Sequence, residues 1–139
     1  MPMNWLLALA LSIHVRVRAA VPSKLEHITK ADGNAAFAMS LPLDSQTRID
    51  WALIALFYAA MHYVEAYLAT LGQHVRSHTT RDTYLGRDVN QKKIYTEYQD
   101  LKFYGYAARY EAFRFKAEDV TNQAAQHFAT IKANLQPLL

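Results

Sequence analysis

The chain has 139 residues, of which 52% are hydrophobic and none is cysteine. This length fits one domain with a core of its own, and the lack of cysteine excludes disulfides, thiolate metal sites and a cysteine nucleophile. The 15 basic and 12 acidic side chains give a net charge of +3, which excludes a polyelectrolyte binder of the histone type. The excess of basic residues lies entirely within positions 72–93, so the charge count does not exclude a local anion-binding site there.

An apolar run, residues 5–13, lies near the start of the chain. It is too short to span a bilayer. Arg16 and Arg18 follow it, whereas a secretory signal carries its positive charge before the apolar run. We interpret residues 1–20 as an N-terminal extension or a first helix, and residues 21–139 as the domain. A signal peptide that is cleaved off is the alternative for the first segment. We expect a cytoplasmic protein.

Helical spacing dominates the first half of the domain, and strand-like alternation is nearly absent. Ser23 is placed to cap a helix that runs toward Ala38, and Pro42 ends it. The longest predicted helix covers about 45–71, and Gly72 takes the position after its end. This helix is apolar nearly all round, which indicates a central, buried position. A membrane span is disfavoured by the glutamate at position 65.

Three further helices are predicted in the second half. A short basic helix covers about 79–86, a tyrosine-rich helix covers 91–110, and a last helix begins near Ala117. Its core face consists of Val120, Ala124, Phe128, Ile131 and Leu135. Together the elements predict an all-α protein, a four- to five-helix up-and-down bundle.

The order of several segments resembles that of HEPN-type helical domains over roughly residues 25–135. The resemblance rests on the apolar helix 51–69, on His74 and the run Ser77-His78-Thr79-Thr80-Arg81, on Tyr84-Leu85, on Tyr95, Tyr98 and Leu101 before Ala108-Arg109-Tyr110, and on Glu118-Asp119-Val120. It implies a HEPN-like bundle that forms a homodimer. It also implies a role in bacterial defence or toxin–antitoxin-type systems, with RNA or a nucleotidyltransferase-type protein as the partner.

Many HEPN domains are metal-independent ribonucleases whose signature is an arginine followed, after four to six residues, by a histidine. No arginine in this chain has a histidine at that spacing. The resemblance therefore favours a non-catalytic interaction or RNA-binding module without a cofactor. A divergent ribonuclease that uses His78 with Arg76 and Arg81 is the alternative.

Residues 72–93, which we call the basic window, contain the side chains that this alternative needs. Histidine exchanges protons near neutral pH, and arginine stabilises charge on phosphoryl oxygens. If His78 and Arg81 are helical, they share a face, and Asp82 is placed to orient the imidazole. The candidates for nucleic-acid or anion binding are His74, Arg76, Arg81, Arg87, Lys92 and Lys93. An exposed, solvated basic surface without a function is the simpler interpretation.

Other residues suggest weaker hypotheses. His62 and Glu65 are candidates for lining a small-molecule pocket, although a lone histidine in a buried helix is more often a core residue. His74 and His78 are four residues apart, but neighbouring cations disfavour zinc, and we expect no metal site. The tyrosines of the fourth predicted helix favour a dimer interface over base stacking. His14, His27 and His127 are scattered and suggest no site.

Overall fold

The computed structural model describes residues 21–139, so the predictions for residues 1–20 lie outside the described residues. Within this range the chain is helical, with no strand. The helices are α1 (Lys24–Ser40), α2 (Gln46–Thr70), α3 (His78–Arg87), α4 (Val89–Lys92), α5 (Tyr95–Tyr110) and α6 (Ala125–Leu135). A π-helical segment, Asp119–Ala124, leads into α6, and a 3₁₀ turn, Gln136–Leu138, follows it. The predicted all-α fold is confirmed.

Local signals define the start of α1 and the end of α2. The Ser23 side chain accepts a hydrogen bond from the Glu26 amide, and the Glu26 carboxylate accepts one from the Ser23 amide, which forms a capping box. At the end of α2, Gly72 has a φ of +70°. This left-handed residue lets the Gln73 amide donate to the Leu68 carbonyl and stops the helix, as Gly72 predicts.

Helix α2 is the centre of the bundle. Its Tyr63 hydroxyl donates to Asp32 of α1, and the Tyr63 ring packs against Phe128 of α6. On another side, Phe57 packs against Tyr98 of α5. The helix is long and apolar enough to cross a membrane, with a mean hydropathy of 1.4, but 78% of that stretch is buried in the bundle. It is the buried central helix that the sequence predicts.

Helices α2 and α5 come close together at Gly105. A Cβ atom on this residue would lie 2.9 Å from the Cβ of Phe57, closer than side chains pack. Glycine is therefore required here by the contact and not by its backbone freedom. The contact sets the register of α5 on α2, and this register brings the Arg109 side chain to Tyr58.

The last helical stretch follows its predicted pattern closely. All five residues of the predicted core face are buried. The sequence did not predict the one-turn helix α4, which begins because Asp88 caps the amides of Asn90 and Gln91. That turn brings the chain from the basic helix α3 into α5.

Candidate functional site

A buried ion pair joins the central helix to the basic helix. The Arg81 side chain donates from Nε to Oε1 of Glu65 at 2.7 Å, and Nη2 contacts the same oxygen. Arg81 is 5% exposed and Glu65 is 7% exposed. The Arg81 charge is thus neutralised within the core, and the pair joins α3 to the C-terminal part of α2.

The third nitrogen of the same guanidinium contacts His78. Nη1 of Arg81 lies 3.1 Å from Nδ1 of His78. Because a guanidinium only donates hydrogen bonds, Nδ1 of His78 is the acceptor and its proton sits on Nε2. Burial, followed by the Arg81 charge, lowers the pKa of His78. The imidazole is therefore neutral, and the lone pair of its Nδ1 atom accepts the hydrogen bond from Arg81.

The acidic residue of α3 acts on the charge of His78 but forms no hydrogen bond with it. Asp82 forms an ion pair with Lys102 of α5, with 2.6 Å between Oδ2 and Nζ. The prediction that His78 and Arg81 share a helix face is confirmed, whereas Arg81 and not Asp82 contacts the imidazole. Asp82 and Lys102 thus join α3 to α5, as Glu65 and Arg81 join α3 to α2.

The other predicted binding residues are exposed: His74, Arg76, Arg87, Lys92 and Lys93. Within residues 21–139 their side chains form no ion pair. The structure thus separates the basic window into one buried arginine, which joins α3 to α2, and a set of solvent-exposed side chains, of which Arg76, Arg87, Lys92 and Lys93 are cations that are accessible to an anionic partner.

The two predicted pocket residues face different partners. Glu65 binds Arg81, whereas Nδ1 of His62 lies 3.1 Å from Nδ1 of His27 on α1. Both histidines border a cavity of about 480 Å³ that Glu26 and Lys30 also line. His27 suggested no site in the sequence, because its partner lies 35 residues away.

Aromatic side chains cover the outer side of α5. Phe103, Tyr106 and Tyr110 are 56%, 51% and 68% exposed, and Phe113, just after the helix, is 56% exposed. We call these four residues the aromatic face. At its edge the Arg109 guanidinium lies over the Tyr110 ring, 5.3 Å from the ring centre. The tyrosine spacing indicated such a surface, but the phenylalanines were not singled out by the sequence.

No protein-family model, curated protein or solved structure matches this chain. The HEPN-like resemblance accordingly remains a prediction that rests on the order of the residues.

Proposed function

We propose that this protein is a HEPN-like helical interaction module that forms a homodimer and has no ribonuclease activity of its own. The observation that carries the proposal is the aromatic face, four large side chains that are each more than half exposed. Exposed patches of this kind mark protein interaction sites. Aromatic residues are also enriched at the centres of interfaces, where they contribute much of the binding energy.

A second copy of the chain is the partner that suits the aromatic face. Phe103, Tyr106 and Tyr110 are spaced by three and four residues and so share one side of α5. Residues 95–116 around them carry four basic and three acidic side chains, so two copies that meet here do not repel each other strongly. A two-fold axis through this side would place each aromatic face against its counterpart.

The interior contacts of Arg81 argue against the ribonuclease alternative. A catalytic arginine must meet the phosphate, but Arg81 is buried against Glu65. A general base needs a free lone pair near neutral pH, but Nδ1 of His78 accepts from Arg81 and the pKa of this imidazole is lowered. Catalysis through Arg81 would therefore require the core pair to separate, which leaves the exposed Arg76 as the accessible arginine of this alternative.

RNA binding without cleavage is the second candidate function. It is supported by the exposed cations Arg76, Arg87, Lys92 and Lys93, which surround α3 and α4. Such residues bind the phosphate backbone without regard to sequence, with an affinity that falls as salt rises. None of these four residues belongs to the aromatic face, so this binding surface does not use the side chains of the proposed dimer interface.

The oligomeric state tests the main proposal. Sedimentation velocity of the full chain across micromolar concentrations should show a dimer, and Tyr106→Glu with Tyr110→Glu should yield a folded monomer. Buried aromatic anchors of interfaces contribute about 2 kcal/mol or more each. Phe37→Glu is the matched control, because Phe37 is an exposed aromatic residue on α1. A monomeric wild type, or a control that dissociates equally well, would refute the dimer.

A labelled RNA tests the second function and the activity together. Binding should weaken at least tenfold in the Arg87→Glu, Lys92→Glu, Lys93→Glu variant and should fall with added salt. Without metal the wild-type chain should leave the RNA intact. Cleavage that disappears in His78→Ala would overturn the non-catalytic assignment.

A further inference from the structure

Two histidines from different helices converge at the contact between α1 and α2. The Nδ1 atoms of His27 and His62 lie 3.1 Å apart, and their ring centres are 5.4 Å apart. His27 is only 8% exposed, so the pair is held by the bundle and not by loops. The cavity of about 480 Å³ opens on this pair. Its other lining residues are Pro22, Leu25, Glu26, Thr29 and Lys30.

The spacing of the two nitrogens matches that of two ligands on one metal ion. With metal–nitrogen bonds of 2.0–2.1 Å, two imidazole nitrogens are separated by about 3.3 Å in a tetrahedral site and by about 2.9 Å at neighbouring corners of a square. The observed 3.1 Å lies between these values. The helices therefore hold the pair close to the separation that a metal ion requires.

The electrostatics keep both rings in the form that binds metals. Burial lowers the pKa of His27, and burial, followed by the proximity of His27 and Lys30, lowers the pKa of His62 to about 4. Both rings are neutral at pH 7, and one Nδ1 donates to the other. Moving that proton to Nε2 of the same ring frees both Nδ1 lone pairs without any net loss of protons.

The charged groups around the pair are nearly balanced. Glu65 and Glu26 favour a cation at His27, and His74 and Arg81 oppose it. Because Glu65 and Arg81 neutralise each other, the remaining charges are the Glu26 carboxylate and the Lys30 ammonium on the cavity wall. Among the residues that line the cavity, a divalent ion bound to the two nitrogens thus meets one acidic and one basic side chain.

We propose that His27 and His62 bind one divalent transition metal ion of the imidazole-preferring class, such as Zn²⁺ or Cu²⁺, through their Nδ1 atoms. Within residues 21–139 no group of three or more His, Cys, Asp or Glu side chains is placed to hold a metal. The chain therefore supplies two ligands, and water or a small anionic ligand in the cavity supplies the others. This site is independent of the proposed dimer, because it joins α1 to α2 and not α5 to a partner.

Metal titration of the untagged, chelator-treated full chain tests the proposal. Calorimetry should show one Zn²⁺ bound per chain, and Zn²⁺ should raise the melting temperature because the folded state alone holds the two ligands together. His27→Ala and His62→Ala should each weaken Zn²⁺ binding at least tenfold. His127→Ala is the matched control, because His127 lies against Asp100 at another place in the bundle, and it should keep the wild-type affinity.

A spectroscopic measurement on the wild type covers the case in which a variant fails to fold. Pulsed electron paramagnetic resonance of the chain with one equivalent of Cu²⁺ should show two coordinated imidazoles. A single imidazole, no binding at one equivalent, or affinity retained in both folded alanine variants would show that the pair is only a hydrogen bond between two neutral rings.

Discussion

Arg81 and Glu65, sixteen residues apart in the sequence, form a buried ion pair with 2.7 Å between Nε and Oε1. The pair places the Arg81 charge inside the bundle, whereas Arg87 of the same helix stays exposed, and it leaves His78 hydrogen-bonded to the Arg81 guanidinium. As a result, Arg81 is not available at the surface, whereas the other arginines and lysines of the basic window are exposed. Removing a buried charge from its partner is among the most costly changes in a protein.

Breaking this pair should destabilise the protein strongly. Glu65→Gln and Arg81→Met should each lower the free energy of unfolding by about 3–5 kcal/mol, because each leaves one buried charge or donor without its partner. Replacing both residues, as Glu65→Leu with Arg81→Met, should recover most of this loss. Urea unfolding followed by circular dichroism measures all three variants.

The control for the ion pair is Arg76→Met, which removes an exposed arginine five residues before Arg81. Its effect should stay within about 0.5 kcal/mol, as for most surface substitutions. If Arg81→Met were as mild as Arg76→Met, the Glu65 contact would not stabilise the fold in solution.

Gly105→Ala should destabilise the bundle by about 1–3 kcal/mol, because the new Cβ would lie 2.9 Å from the Cβ of Phe57 and would overpack the contact of α2 with α5. Gly33→Ala provides the contrast, since nothing lies within 4 Å of a Cβ on Gly33 in α1. That change should stabilise the protein by about 0.5–1 kcal/mol through helix propensity. Thermal unfolding of the two variants should therefore move in opposite directions, and the same sign for both would contradict the close contact.

Acidification should weaken the fold through His62. Burial, with His27 and Lys30, lowers its pKa from 6.5 in the unfolded chain to about 4 in the folded protein. Between these pH values the unfolded chain binds more protons, so stability falls as the pH drops from about 6.5 toward 4. Urea midpoints at pH 7 and pH 5 should differ less in His62→Gln than in the wild type. Equal differences would show that this imidazole does not contribute.

Gln91 offers a substitution that should stabilise the protein. Its side chain is 0% exposed, and neither its oxygen nor its nitrogen has a hydrogen-bond partner among the described residues. Gln91→Met keeps the shape and removes the buried polar atoms, so the free energy of unfolding should rise by about 1 kcal/mol.

Gln73→Met is the matched comparison for Gln91→Met. The Gln73 side-chain oxygen accepts a 2.8 Å hydrogen bond from the Tyr84 hydroxyl, so its replacement should lower stability. A loss of stability in Gln91→Met would instead reveal a polar partner for that amide. Urea unfolding of both variants gives the comparison directly.

Sequence reasoning worked best where the determinants are local. A serine followed three residues later by glutamate begins α1, and a glycine after an apolar stretch ends α2. The apolar spacing of the last helix identified its buried face. Caps and periodicity act within one or two turns, so the chain displays them directly.

The candidate site was harder to predict because its contacts are distant in sequence. His78 and Arg81 lie one turn apart, and their contact followed from helical spacing. The partner of Arg81 lies in another helix, as does the partner of His62. A charge count along the chain detects an excess of arginine and lysine, but it does not distinguish a buried cation from an exposed one.

The sequence by itself determined the helical class, the order of all helices except the one-turn α4, and a basic window of residues 72–93, since these depend on spacing, capping and composition. The tertiary structure decided which charges in that window are buried, which histidines meet and which aromatic side chains face solvent. These outcomes depend on how the helices pack around α2, where the Gly105 contact, the Glu65–Arg81 pair and the His27–His62 pair join residues far apart in the chain.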